Sequence, residues 1–197
     1  MPEPSSSPPT AGIFLEAHPL ALRLFERLRG TTGPVIVVGD GRGRNSRALR
    51  SAGLVVIAIP DEAPYTQLAS PPRSFTGALS THAYLHGTAS KIRSGIAELA
   101  RVLQPGAPAF LTFGSIKDVR FGYGEQLDVQ SFAPGDGPEK GIPHAYFDRD
   151  GLLEAIAQFE IVSAEEVNVD DIIGKWAHLE DEPPGKVHWF VEAVRAR

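Results

Sequence analysis

Three glycines alternate with two charged residues in Gly39-Asp40-Gly41-Arg42-Gly43, and Asn45 and Ser46 follow within one helical turn. Glycines in that density permit positive φ and let a ligand approach the main chain, and a helix starting there offers N–H groups to an anion. A nucleoside-triphosphate loop would place Lys then Ser or Thr at the helix start, and no lysine stands there. The GxGxxG dinucleotide fingerprint is met loosely at best: its last position falls on Arg44 counting from Gly39, or on Ser46 counting from Gly41. The shorter GxGxG form fits better. Asp61 lies 20 residues beyond Gly41, the spacing at which the dinucleotide fingerprint carries its ribose-binding acid, although a carboxylate after Pro60 also serves as a turn residue.

A second set of chemistry-bearing residues is histidine-rich. His82 and His86 are four apart, a spacing that suits two metal ligands on a helix. Ala83 stands where HExxH has its glutamate, so a metal site would need His144 or a carboxylate as third ligand, and none is expected. His82 is instead expected to line a crevice just after a strand, with His86 facing substrate or capping the next helix. The polar stretch 114–147 carries Tyr123, Asp136, His144, Tyr146 and Phe147, and is read as a long loop that shapes a pocket. His144 or Tyr146 is the candidate general base there. Arg44, Arg47 and Arg50 fall on one helical stripe with Arg42 just before it, and read as a solvated face. Near the end, Trp189 reads as core, while Trp176 and His178 are candidates to cover the pocket.

These residues need elements to hold them. The chain has 197 residues, 42% hydrophobic and 22% charged, enough for one core. Gly and Pro together make up 37 of the 197, about 19%, which argues for many turns and against a helical bundle. Cysteine is absent, which excludes disulfides, thiolate metal sites and cysteine nucleophiles. The net charge of −5 excludes a global basic field for nucleic acid. No stretch is long and apolar enough for a membrane span, and a cytoplasmic location is expected. Residues 1–12, with four prolines, are expected to be a disordered tail, leaving 13–197 as one domain.

Pro19 to Arg29 reads as a helix with a Leu20, Leu24, Leu28 stripe. Val35 to Val38 and Leu54 to Ile59 are continuous apolar runs, the mark of strands buried on both faces in a parallel sheet, and a helix from Arg44 to Ser51 joins them. Further strands are expected near 75–81 and 109–113, a Thr88-capped helix from Ala89 to Leu103, a helix from Arg149 to Ala157, and two closing strands at 159–164 and 188–194. Alternation of this kind gives a doubly wound α/β fold with a mostly parallel sheet and a terminal antiparallel hairpin.

With these segments in place, the chain resembles the class I S-adenosylmethionine-dependent methyltransferases over about residues 18–194. VIVVGDGRGRNSRAL (35–49) is similar to their first motif, and its Gly43-Arg44-Asn45-Ser46 to the tellurite-resistance-type small-molecule methyltransferases. Ala78 to His82 resembles the fourth strand with its following motif, and ELARVLQPGAPAFLTF (98–113) the helix, Pro-Gly turn and fifth strand. The resemblance implies S-adenosylmethionine as cofactor, held around Gly39, Asp40, Gly41, Gly43, Asn45, Asp61, Ser80, Thr81 and His82, and methyl transfer to a small molecule. His144, Tyr146 and His86 are the catalytic candidates. The sequence departs from the family at Val37 and Pro60, where relatives usually carry acids. Residues 60–74, with four prolines, cannot hold the family's third strand and helix, which are expected to be missing. The alternatives are a catalytically inactive methyltransferase-like domain that binds a metabolite or partner protein and, more remotely, a nicotinamide-dependent enzyme.

Overall fold

The structure is a computed structural model that describes residues 13–173 and 184–197. The tail expected over 1–12, the pocket cover expected from Trp176 and His178, and most of the turn at 180–185 lie outside the described residues.

β1 (Pro34–Val38) shows why its run of branched residues is a strand. Val35 and Val37 pack on one face of the sheet, while Ile36 and Val38 pack on the other, the period of two that an extended chain imposes. Helices cover both faces. On the first, α1 (Pro19–Arg27) buries Leu20, Ala21 and Leu24 beside α2 (Arg44–Ser51). Pro19 stands at the first turn, and His18 caps the helix, its Nδ1 accepting from Leu20 N at 3.2 Å. On the second face, α3 (Ala89–Val102) buries Ile92, Ile96 and Leu99 at helical spacing, and Thr88 accepts from Lys91 N as its cap.

β1 pairs in parallel with β2 (Val55–Ile59) on one side and with β3 (Gly77–Ser80) on the other. β3 pairs in parallel with β4 (Pro108–Ser115). The far edge of β4 takes β9 (Val187–Arg195) antiparallel, and β8 (Phe159–Asn168) pairs with β9, forming the expected terminal hairpin. Residues 60–74 hold neither helix nor strand, and β2 is the sheet edge, with Val55 63% and Ile57 45% exposed. The segment is tied down nonetheless: Leu68 N donates to Glu98 and the Tyr65 hydroxyl to the His86 carbonyl.

One stretch differs from its expectation. Residues 114–145 are not one long loop. β4 runs on to Ser115, and β5 (Glu125–Gln126), β6 (Ser131–Ala133) and β7 (His144–Phe147) form an antiparallel ribbon. β7 pairs in parallel with Gly114 and Ser115 of β4. Because β9 occupies the other edge of β4 as far as Gly114, β7 must lie beyond the carboxyl end of β3. Gly114 makes this approach possible, since a Cβ there would sit 2.6 Å from the Ala145 carbonyl oxygen. The ribbon thus stands over the crevice at the strand ends. After it, α4 (Arg149–Ala155) starts at Asp148, which accepts from Gly151 N at 2.8 Å. α5 (Asp170–Ile173) follows β8. Among the described residues no helix is long and apolar enough to cross a membrane.

Candidate functional site

A cavity of about 330 Å³ opens at the carboxyl ends of β1, β3 and β4, under the ribbon. This is where open α/β sheets place their ligands. One rim is the glycine loop. Gly39, Gly41 and Gly43 all have positive φ, at 67°, 50° and 74°. Gly39 also lets the chain after β3 come close, because a Cβ on it would fall 2.7 Å from the Ala83 Cβ. Gly41 donates its N–H to Asp61 Oδ1 at 3.2 Å, which joins the loop to the residue just beyond β2.

The N–H groups at the start of α2 are not left open. Asp40, buried, accepts from Asn45 N at 3.2 Å and Ser46 N at 3.0 Å, so its carboxylate takes the place an external anion would have. Asn45 is equally committed: its side chain accepts from His18 N and donates to Thr81 Oγ1. Gly39, Asp40, Gly41, Asn45, Asp61, Thr81 and His82 line the cavity. Gly43 and Ser80 do not: Gly43 is the N-cap of α2, and Ser80 is fully buried with its hydroxyl lacking a hydrogen-bond partner. Val37 packs in the core beside α1. Of the arginines, Arg42, Arg47 and Arg50 are exposed and Arg44 is half-buried; Arg42 and Arg44 line the cavity.

The opposite rim is made of side chains. All five histidines within the described residues line the cavity: His18, bonded through its main-chain N–H to Asn45, stands beside the glycine loop, and His82, His86, His144 and His188 belong to this rim. The expected catalytic candidates His86, His144 and Tyr146 are brought together there. His86 and His144 face each other across an isolated antiparallel bridge, with Gly87 N donating to the Pro143 carbonyl at 2.6 Å. Their rings meet edge-on at 4.7 Å, and the His86 ring meets His82 at 4.4 Å in the same way. His86 therefore faces the cavity, and the helix cap it was alternatively given belongs to Thr88.

Between the two imidazoles sits Glu139, a residue the sequence reading did not single out. His86 Nε2 lies 3.3 Å from its Oε1, and His144 Nε2 3.3 Å from its Oε2. The Arg120 guanidinium donates to Oε2 at 2.7 Å. Burial by itself would raise the Glu139 carboxyl, but hydrogen bonding to His144 and His86, together with their charge, outweighs it and holds the group well below the usual carboxylate range.

Burial is the largest influence on four further groups around the cavity. His188 is pushed down to about 3 by burial and by Arg120. His18 is likewise pushed down to about 3, by burial and then by His188 and Arg44. Burial raises Asp118, which accepts from Arg120 N and Val187 N, and raises the Tyr146 phenol. Asp118, Arg120, Glu139 and Lys186 were all missed in the sequence. The only signal for them was the convergence of rare residue types, six histidines in 197 residues, which shows nothing until the fold is known.

No protein-family model matches this chain, and no curated protein sequence matches it. Solved structures do. A Burkholderia thailandensis 1,6-didemethyltoxoflavin-N1-methyltransferase, bound to 1,6-didemethyltoxoflavin and S-adenosylhomocysteine, aligns with a TM-score of 0.66 at 17% identity, covering 100% of this chain and 94% of its own. An S-adenosylmethionine-dependent methyltransferase from Methanosarcina mazei aligns with a TM-score of 0.61 at 17% identity, covering 92% and 99%. The 4+2 cyclase SpnF aligns at 0.58 and 17% identity, covering 90% and 80%. The fold is thus the Rossmann-like fold of the class I methyltransferases, with its terminal antiparallel hairpin. The identities are too low to carry more than the fold.

Proposed function

We propose that this protein is an S-adenosylmethionine-dependent methyltransferase that acts on a small molecule. The observation that carries the reading is one cavity with two unlike rims: a main-chain glycine loop at the end of β1, and a cluster of ionisable side chains facing it. The fold shared with methyltransferases, one of them holding S-adenosylhomocysteine with its substrate, supports the assignment of the first rim to the cofactor. The residues present fit that group. Gly39 and Gly41 keep main chain bare at the rim, Asp61 stands at the tip of β2 as the carboxylate for ribose hydroxyls, and Thr81 and His82 follow β3. Asp40 and Asn45 take a holding role in this account, fixing the loop through α2 and Thr81.

When bound, S-adenosylmethionine supplies an electrophilic methyl group on a sulfonium. The chain's task is to place an acceptor in line with it, exclude water and accept a proton. His86 and His144 are the groups suited to the proton, because a neutral imidazole offers a lone pair to it and both rings are oriented by Glu139. Tyr146 is better suited to donating a hydrogen bond, since its raised phenol stays protonated at neutral pH. Arg120 and Lys186 would bias the cavity toward acceptors with electron-rich oxygen or nitrogen. The built cluster of ionisable groups favours an enzyme over a domain that merely binds.

A thermal-shift titration tests this directly. Ligand at 100 times its Kd stabilises the fold by about 2.7 kcal/mol. S-adenosylhomocysteine and S-adenosylmethionine are expected to raise Tm and NAD to leave it unchanged. No shift with either sulfur ligand at millimolar concentration would overturn the proposal.

A further inference from the structure

His144 presents a problem of valence. Its Nδ1 lies 2.8 Å from the Ile142 carbonyl, an oxygen that can only accept, so Nδ1 carries the hydrogen. In the neutral ring Nε2 is then a lone pair. That atom is buried and lies 3.3 Å from Glu139 Oε2, which is itself electron-rich, so with Nε2 unprotonated no hydrogen stands between the two. Two acceptors facing each other in a buried place call for something positive between them. Arg120 serves Glu139 from its own direction and leaves Nε2 unanswered.

The geometry around this pair is that of a ligand set. One nitrogen from His86, one oxygen from Glu139 and one nitrogen from His144 lie within 4.8 Å of one another. The two nitrogen–oxygen separations, 3.3 Å each, are longer than the roughly 2.7–2.9 Å of a charge-assisted hydrogen bond. They run to the two different oxygens of the carboxylate, and each is close to the edge of a tetrahedron around an ion with bonds of about 2.0–2.1 Å, which is about 3.4 Å. We propose that His86 Nε2, the Glu139 carboxylate and His144 Nε2 bind one divalent transition-metal ion of the zinc class.

The surroundings are those such a site requires. The main-chain bridge between His86 and His144 fixes the two imidazoles without help from an ion, and Ile142 N donates to the Glu139 carbonyl at 3.0 Å to close the turn that carries the carboxylate. The Ile142 carbonyl holds His144 in the correct tautomer, and Arg120 orients the carboxylate, the usual outer partners of metal ligands. Nitrogen and carboxylate donors without thiolate suit zinc, cobalt or nickel over calcium. Three protein ligands leave a fourth position open, and all three residues line the cavity, so that position takes an oxygen or nitrogen donor from a small molecule. Metal binding stands independently of the methyl-transfer reading; an ion on both Nε2 atoms takes them out of the proton-accepting role, and use of the open position to hold a methyl acceptor, its proton passing to solvent, rests on that reading.

The test uses the full chain without a histidine tag, stripped with EDTA and titrated with Co²⁺ and then Zn²⁺ at pH 7.5. The expected result is one ion per chain, visible absorption of cobalt in low coordination number, and its loss on zinc addition. Glu139→Ala and His144→Ala, checked by circular dichroism, are expected to weaken uptake at least 100-fold. If His144→Ala does not fold, long-range ¹H–¹⁵N spectra of the wild-type protein decide instead, with zinc expected to shift Nε2 of His86 and His144 and no other imidazole. Absence of stoichiometric uptake at 1 mM metal would overturn the proposal and leave a proton as the partner of Nε2. So would unchanged uptake in both variants, or resonance shifts confined to other histidines. S-adenosylhomocysteine binding, measured in parallel without metal, keeps failure of this site distinct from failure of the methyltransferase reading.

Discussion

The glycine rim of the cavity is made largely of main chain and comes from one short stretch, 39–45, with Asp61 added from the tip of β2. The histidine rim is made of side chains drawn from four separate places: the turn after β3, the end of β4, the ribbon, and the start of β9. The first rim depends on what residues lack, a Cβ at Gly39 and Gly41. The second depends on what they bring. The two should therefore fail differently under mutation: a side chain added to the first disturbs shape, whereas a side chain removed from the second leaves shape intact and takes away chemistry.

The largest expected effect comes from Gly39→Val. Both the positive φ and the contact with Ala83 are violated, and the cost is expected to be roughly 2–5 kcal/mol in urea unfolding. Gly41→Val separates folding from binding. Its Cβ meets only the movable Asp61 carboxylate, at 2.9 Å, so stability should fall by only about 1–2 kcal/mol while S-adenosylhomocysteine affinity collapses, as calorimetry would show. If the two glycine variants behave alike, the loop is purely structural.

Glu139→Ala probes the other rim. Methyl transfer, once an acceptor is found, is expected to drop about 10²–10⁴-fold. The Kd for S-adenosylhomocysteine should stay within a factor of about three, because Glu139 lies across the cavity from the loop. A large change in that Kd would mean that the rims are not separable.

Acid provides a smaller and graded test. His18 and His188 are held neutral in the fold, at about 3, against an ordinary value near 6.5. On acidification the unfolded chain takes up their protons first, so their contribution is intact above pH 6.5 and is lost as pH falls toward 3. Protonation also removes the Nδ1 acceptor with which His18 caps α1. The urea midpoint is expected to decline over that window, and His18→Asn, which keeps an acceptor without the titration, should flatten the decline. Smallest of all, Arg47→Ala on the solvent face of α2 should move stability by less than about 0.5 kcal/mol and leave ligand affinity unchanged.

The difference between the rims also explains what could be read from the sequence. A buried parallel strand, a glycine-rich turn and a capped helix are local patterns, so β1, α2 and α3 stand close to where periodicity puts them, as does the absence of a strand in the proline-rich 60–74. Residues 114–145 lack such periodicity. Their strands are two to four residues long beyond β4, and their register depends on Gly114 admitting β7, a contact between positions about 30 residues apart. Glu139 was invisible for the same reason. A glutamate in a turn is ordinarily solvated, and nothing near it in sequence announces that two histidines, one of them 53 residues away, will close on it. Asp40 shows the converse error. The reading left the N–H groups of α2 to a ligand, whereas the chain satisfies two of them itself.

The pairing of β7 with the end of β4 has a kinetic consequence. Floor and roof of the cavity share one strand: residues 109–111 of β4 bond to the sheet and residues 114–115 to the ribbon. Lifting the roof would break a β ladder, unlike the swing of a hinged flap. Ligand entry should therefore proceed without a slow closing step, at a rate that scales linearly with concentration in stopped-flow mixing and that rises with solvent fluidity.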